Sequence, residues 1–279
     1  MKLILIPAVI VLLYLFLIMP SLRKCDRKRF EGRYYAHRGL HDNDTDHPEN
    51  SLRAFEMAVE RGYGMEFDVQ LSKDNIPVIM HDMSAERALR RKDGTPLPGK
   101  VRDYTLEELR ECTLFDSDEK IPTFREVLDL VDGKVPLIIE FKAEPSDRVL
   151  EVCPVSMEIL KNYKGVYCVE SFHPFVVYWF RKHYPELMRG QLSEEYGDHE
   201  RKMSFIEFLC AYLLFNFLTK PDFIAYNHLH ESNISRRLCR YLYHNFSVTY
   251  TIKSQEELDR NQGKFDIFIF DSFIPKEKD

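Results

Sequence analysis

The 279-residue chain has six cysteines, at 25, 112, 153, 168, 210 and 239, and no two of them form a CxxC pair. A zinc knuckle needs paired thiolates at that spacing, so none is indicated. The cysteines are also too sparse for a disulfide-stapled secreted scaffold, and buried free thiols in a reducing compartment are the simpler reading. A basic excess is missing as well. Lys and Arg total 39 against 45 Asp and Glu, for a net charge of -6. Nucleic-acid surfaces are usually basic, so no nucleic-acid partner is expected. No Gly-x-Gly-x-x-Gly follows any apolar run, and a dinucleotide site is therefore not indicated. Internal repeats and low-complexity tracts are absent too.

Charge is missing from one stretch in particular. Residues 3–20, "LILIPAVIVLLYLFLIMP", carry none. Eighteen helical residues reach about 27 Å, close to a hydrocarbon core of about 30 Å. Only Lys2 precedes the run and no small-x-small site follows it, which disfavours a cleaved signal peptide. The expectation is a single-pass transmembrane anchor over 1–22, a basic juxtamembrane linker over 23–33 and a barrel domain over 34–279. Arg23, Lys24, Arg27, Lys28 and Arg29 follow the apolar run. That excess places the rest of the chain on the cytoplasmic side of the cell membrane, with the opposite orientation as the alternative.

Eight short runs are rich in consecutive apolar residues: 34–38, 64–69, 135–141, 166–172, 187–192, 222–227, 247–252 and 265–271. Such runs suit strands buried on both faces of a parallel sheet. Helical patterns fall between them. In 50–61, Leu52, Phe55, Ala58 and Val59 share a face, and Gly62 ends it. Thr105 with Glu108, Thr123 with Glu126, and Ser254 with Glu257 fit capping boxes, and 174–184 and 232–243 are further helices. Strand and helix alternating eight times predict an α/β fold, a (β/α)8 TIM barrel, with a doubly wound open sheet as the competitor. One interruption follows the second strand. Lys73-Asp74-Asn75 is turn chemistry between β-like flanks, so 64–82 reads as a hairpin, with a polar insertion over 83–121.

The hairpin would bring His81 near Glu66 and Asp68. Those two acids are spaced i, i+2, so both carboxylates point to one face of an apolar strand. Glu140 repeats the anomaly in "PLIIEFK", with Lys142 two residues on. Buried acids repel and lose solvation unless a cation compensates them. Three carboxylates at strand ends suit a hard divalent ion, Mg²⁺ or Ca²⁺, and ion pairing of Glu140 with Arg38 or Lys142 is the other reading. His37 and His81 stand at strand ends, and an imidazole pair can move protons near neutral pH. Arg38 suits a phosphoryl group. In the next loop, helix capping accounts for Asn50, and Glu49 serves either the site or the helix N-terminus.

"AHRG", "PENSLRAFEMAVERG", "MEFDVQLSKDNIPVIMHD", "IPTFREVLDLV" and "IEFK", in this order, resemble the glycerophosphodiester phosphodiesterases. The resemblance runs from about residue 34 to 271 and is strongest over 36–82. It implies a (β/α)8 barrel with a small insertion after the hairpin. It further implies His37 and His81 as an acid/base pair, Arg38 and Lys142 on the phosphate, and Glu66, Asp68 and Glu140 as metal ligands. Ser171-Phe172 matches a "SF" at a later strand end. Two positions depart: Tyr250 stands near the usual tryptophan, and Phe270-Asp271 replaces the usual "TD". Both shape the pocket rim and bear on substrate choice. The implied activity is metal-dependent hydrolysis of glycerophosphodiesters to glycerol phosphate and an alcohol.

Residues 204–218, "SFIEFLCAYLLFNFL", are almost wholly apolar. They read as a barrel helix or as an interfacial one, flanked by Lys202 and Lys220, that dips into the membrane. The interfacial form favours a lysophospholipid substrate and a lysophospholipase D-like activity on the same site. A non-catalytic, membrane-anchored phospholipid-binding protein is the alternative of another class.

Overall fold

The computed structural model describes residues 2–143, 150–196 and 202–276. Met1 of the expected anchor and residues 277–279 of the expected barrel domain lie outside the described residues. The chain opens with helix α1 (Lys2–Ile18), then strand β1 (Tyr34–His37) and helix α2 (Leu52–Glu60). A hairpin of β2 (Gly64–Leu71) and β3 (Pro77–Ile79) follows. Next come β4 (Leu89–Arg90), α3 (Leu106–Arg110), β5 (Thr113–Leu114) and α4 (Phe124–Val131). The rest alternates: β6 (Leu137–Phe141), α5 (Val152–Leu160), β7 (Tyr167–Ser171), α6 (Pro174–His183), β8 (Arg189–Ser193), α7 (Phe205–Ala211), α8 (Asn216–Thr219), β9 (Phe223–Asn227), α9 (Ile234–Tyr241), β10 (Phe246–Ile252), α10 (Gln255–Asn261) and β11 (Ile267–Phe270).

The sheet runs β1-β11-β10-β9-β8-β7-β6-β2, and β2 pairs back to β1. All eight of these pairings are parallel, so the sheet closes into a barrel. Each expected strand is present. β3 lies antiparallel on β2, forming the expected hairpin. Residues of 84–121 carry a small core of their own, with Leu89, Val101, Leu109 and Ile121 buried in it. A larger core fills the layer between strands and helices, where Phe55, Phe67 and Phe124 stack edge to face. Inside the barrel, Tyr35, Phe223 and Phe246 pack together, and Phe30 joins them from below, its carbonyl accepting from Tyr35 Oη at 2.9 Å.

Thr105 and Thr123 form the expected capping boxes. Ser254 accepts from Glu257 N–H, but Glu257 accepts from Lys253 N–H in place of the cap residue.

Two expectations are corrected. The first is the transmembrane anchor. α1 has 17 residues, and no helix among the described residues is long and apolar enough to cross a membrane. Its last turn is committed to the barrel: Ile18 is fully buried, and its carbonyl accepts from Asn216 Nδ2 at 2.9 Å. The second is 204–218, which is not one helix. α7 and α8 are separated at Leu213, whose φ of 57° breaks helical geometry. Leu213 itself is buried, so only the α7 part offers apolar side chains to the outside.

Candidate active site

Strand register assembles the acids. In the parallel ladders Asp68 stands opposite Glu140, Glu140 opposite Glu170, and Glu66 opposite His37. Side chains alternate along a strand, so residues in register across parallel neighbours share the barrel interior. All four carboxylates are buried. Glu66, Asp68 and Glu140 offer oxygens that all lie within 4.8 Å of one another.

Cations offset part of this charge. Lys142 Nζ sits 3.0 Å from Asp68 Oδ1 and 2.8 Å from Glu140 Oε2. Arg38 Nε lies 3.6 Å from Asp68 Oδ2, and Asn50 Nδ2 donates to the same oxygen at 3.1 Å. These contacts outweigh burial and hold the Asp68 carboxyl below its usual range. Glu66 has no such partner. Burial, then the charges of Asp68 and Glu140, push its carboxyl well above the ordinary value. Its Oε2 is buried without a hydrogen bond. Glu170 is pushed well above its ordinary value in the same way, and its Oε2 is also unpartnered. The cluster is thus short of positive charge at the Glu66 side, and its donors are all oxygens. A hard divalent cation fits this set.

A cavity of about 480 Å³ opens here at the C-terminal ends of the strands, where (β/α)8 barrels carry their sites. His37, Arg38, Glu66, His81, Glu140 and Glu170 line its polar side. Phe172, Leu192, Leu229, Tyr250 and Ile269 supply its apolar lining. His37 Nδ1 is 3.2 Å from Asp271 Oδ2, and its Nε2 is 3.9 Å from Glu66 Oε2. Burial lowers the His37 imidazole to about 4, against the hydrogen bond it makes to Asp271. His81 Nδ1 lies 2.6 Å from Asp82 Oδ1, and Asp82 is also held by Arg87.

Backbone geometry aims Arg38. Its φ is 55°, and Gly39 follows at 84°, a region that favours glycine. A Cβ on Gly39 would lie 2.9 Å from Ala54. The Arg38 guanidinium donates from Nη1 to Glu49 Oε1 at 3.0 Å, while its Nε is buried without a hydrogen bond. Arg87 spans both oxygens of Glu49, its Nη2 donating to Oε1 at 2.5 Å and its Nη1 to Oε2 at 3.0 Å.

The structure therefore brings His37, Arg38, His81, Glu66 and Glu140 to one cavity. Asp68 and Lys142 stand behind them in the ion-pair network. Ser171 does not join the cavity: its hydroxyl donates to Phe141 O at 2.7 Å. Asn50 is not the helix cap. Ser51 accepts from Ala54 N–H, and Asn50, at φ 60°, holds Asp68. Four residues were missed or misplaced by the sequence reading. Glu170 shows the same signal as Glu140, an acid in an apolar strand. Asp271 was placed at the rim, yet it contacts both His37 and His41, the latter at 3.2 Å from Oδ1. Arg87 and Asp82 carried no signal beyond their charge.

Residues 37–267 match the glycerophosphoryl diester phosphodiesterase family. Over 158 residues the chain is 33% identical to human glycerophosphodiester phosphodiesterase 1, covering 53% of this chain and 44% of that protein. Over 172 residues it is 31% identical to a glycerophosphodiester phosphodiesterase of Caldanaerobacter subterraneus, covering 57% of this chain and 65% of the relative. The chain spans about half the length of the curated relatives it matches. Its fold is similar to that of an Oleispira antarctica phosphodiesterase solved with the product sn-glycerol-3-phosphate, at a TM-score of 0.67 and 22% identity, covering 86% of this chain and 93% of that one. A glycerophosphodiester phosphodiesterase of Thermotoga maritima aligns at a TM-score of 0.62 and 25% identity, covering 85% and 94%. The chain belongs to the glycerophosphoryl diester phosphodiesterase family.

Proposed function

We propose that this chain hydrolyses glycerophosphodiesters to glycerol phosphate and an alcohol, with a divalent metal ion, Mg²⁺ or Ca²⁺, held by Glu66, Asp68 and Glu140. The observation that carries the reading is the meeting of His37, Arg38, His81 and the oxygen cluster at one cavity. A bound divalent ion would supply Lewis-acid stabilisation of the phosphoryl oxygens and of the attacking oxygen.

The chain's own groups divide the rest. Asp271 accepts the Nδ1 proton of His37, which leaves Nε2 unprotonated toward the cavity. The lowered pKa keeps this imidazole neutral at pH 7, so His37 is the base that takes the attacking hydroxyl's proton. His81, oriented by the contact of its Nδ1 with Asp82, is the acid that donates to the leaving alcohol. Arg38 lines the cavity beside them and offers its guanidinium to a phosphoryl oxygen. Lys142 stabilises the acid cluster and reaches substrate only through it.

A second reading has an observation in its favour. Leu229 lines the cavity and is 72% exposed, an unusual cost for a site that meets only water-soluble diesters. It supports a lysophospholipase D-like activity, with membrane contact through α1 and α7. The membrane side proposed is the cytoplasmic one, in keeping with six free cysteines, four of them buried. Protease protection in sealed cells tests that side. The activity is tested on a panel of glycerophosphodiesters with and without EDTA. Release of glycerol phosphate that stops on chelation supports the reading, and full turnover after exhaustive chelation rejects the metal.

A further inference from the structure

The path of α1 fixes which end of the barrel its free part extends from. α9 follows β9 and leads into β10, so it starts at the catalytic end and runs to the opposite one. Tyr14 Oη is 2.6 Å from Ser235 Oγ, in the first turn of α9. One turn later on both helices, the Ile18 carbonyl lies 3.3 Å from Cys239 Sγ. Beyond α1, Ser21 N–H donates to Pro221 O, and Arg23 Nε donates to Asp222 Oδ1 at 2.6 Å, just before β9 begins. α1 therefore descends the barrel wall parallel to α9. The residues before Tyr14 lie beyond the catalytic end.

Residues 6–13 are bare on every side. Ile6, Val9, Ile10, Val11, Leu12 and Leu13 are each at least 55% exposed. They are close to consecutive over two turns, so no face of this segment is covered by the fold. A helix that is apolar all round needs an apolar surrounding. From Leu13 back to Lys2 the rise is about 17 Å, enough to pass the headgroups and enter the acyl layer of a bilayer.

Other apolar side chains share that end. Phe205, Ile206 and Phe208 of α7 are exposed. The last residues of α7 are pinned to strand ends by Ser193 Oγ donating to Cys210 O and Tyr226 Oη donating to Ala211 O, both at 2.9 Å. Leu229 and Ile234 follow the C-terminal end of β9, and Leu229 also lines the cavity. At the opposite end the exposed Leu22 is followed directly by Arg23 and Lys24, a pattern less suited to hydrocarbon.

We propose that a phospholipid bilayer covers this end of the molecule, with the bare part of α1 inserted into its lipid, so that the mouth of the cavity opens onto the lipid surface. The inference rests on the catalytic reading above only for its kinetic consequence. A single-chain phospholipid then keeps its acyl chain in the leaflet while its headgroup diester enters the cavity beside Leu229. Water adds across the bond between phosphorus and the headgroup oxygen. Its hydroxyl goes to phosphorus and its proton to the leaving alcohol, with no redox change. The products are a lysophosphatidic acid and the free headgroup alcohol.

The test uses the full chain, carried in detergent and reconstituted with vesicles of four parts phosphatidylcholine to one part phosphatidylglycerol. The wild type should float with vesicles, and the double variant Ile10→Asp, Leu13→Asp should lose about tenfold or more in partitioning. Phe205→Asp with Ile206→Asp should weaken it by about threefold. Hydrolysis of lysophosphatidylcholine in the vesicles should fall in step with binding, whereas soluble glycerophosphocholine should be hydrolysed at an unchanged rate. Orientation is read by brominated acyl chains. Tryptophan placed by Ile234→Trp should be quenched, and by Leu242→Trp should not, after subtraction of Trp179. Unchanged flotation of the α1 variant, or stronger quenching at 242 than at 234, overturns the proposal. So does a wild-type dimer that the α1 variant dissolves while vesicle binding persists, because a second copy is then the cover. If no form hydrolyses any diester but flotation and quenching follow the pattern, the surface stands and the catalytic reading falls.

Discussion

His37 Nδ1 lies 3.2 Å from Asp271 Oδ2, across the seam where the first strand of the barrel meets the last. Hydrogen bonds from His37 and His41 outweigh burial and hold Asp271 below its usual range, so the carboxylate is ionised throughout the working pH. Its role is to fix the tautomer and aim of the imidazole. Asp271→Asn should lower kcat by about 10²- to 10⁴-fold, the range of a disabled general base. The pH profile separates positioning from misfolding. Burial already lowers His37 to about 4, and Asp271 opposes that. Removing the carboxylate lowers it further, so the acid limb of kcat/KM should move to lower pH. An acid limb that stays in place, or moves up, would count against the pairing.

Glu66 is the acid of the cluster without a cation of its own, whereas Asp68 and Glu140 share Lys142. Glu66→Gln and Asp68→Asn should therefore both weaken Mn²⁺ binding, followed by electron paramagnetic resonance as a probe for Mg²⁺. Stability should respond differently. Glu66→Gln removes a carboxylate that burial and its neighbours destabilise, and should leave urea unfolding of the apo protein unchanged or improved. Asp68→Asn leaves Lys142 and Arg38 facing less charge and should destabilise by about 3–5 kcal/mol, since one partner of a buried pair is lost. Equal effects of the two substitutions on the apo protein would refute the assignment.

How much of this was legible in the sequence depends on what each residue type signals by itself. The eight strands were, because an apolar run buried on both faces has few other readings. Glu66, Asp68 and Glu140 were, because an acid in such a run is costly without a purpose. Glu170 sits in "VYCVES" with the same signal and was passed over beside the "SF" that follows it. Asn50 was misread because an Asn before a helix is so often its cap; only the register of Ser51 with Ala54 frees it to hold Asp68. The 17 residues of α1 displayed their hydrophobicity but not the docking of the last turn on Asn216 and Cys239, which are some 200 positions away. The break at Leu213 had no glycine or proline to announce it.

Glu49 links the site to acid stability. Burial disfavours its charge, but hydrogen bonds and charge from Arg87 and the charge of Arg38 prevail and hold it at about 2. The folded pKa is below the unfolded one, so the unfolded chain binds more protons between the two. The stabilisation is complete above about pH 4.5 and declines as pH falls toward about 2, a change of about 3 kcal/mol. Glu49→Gln should lose that amount at pH 7 and flatten the acid slope of unfolding free energy between pH 5 and about 2. Urea titrations at stepped pH measure both. A wild-type slope retained in the variant would show that other carboxylates carry the dependence.

Glu170 supplies the sharpest contrast within the cluster. It lines the cavity beside Glu140, yet it lies outside the trio whose oxygens converge within 4.8 Å. Burial, with Glu140 and Asp68 close by, pushes its carboxyl well above the ordinary value. Here the folded pKa exceeds the unfolded one. The unfolded chain therefore binds fewer protons above its own pKa, and this residue withdraws stability as pH rises from the ordinary carboxylate range. A neutral amide of the same shape removes that loss. Glu170→Gln should be at least as stable as the wild type at pH 7 by urea unfolding, with Mn²⁺ affinity within about threefold, because Glu170 lies outside the trio whose oxygens converge. Glu66→Gln measured beside it should lose far more affinity. If Glu170→Gln abolishes metal binding while the fold is intact, Glu170 is a fourth ligand and the three-carboxylate site is wrong.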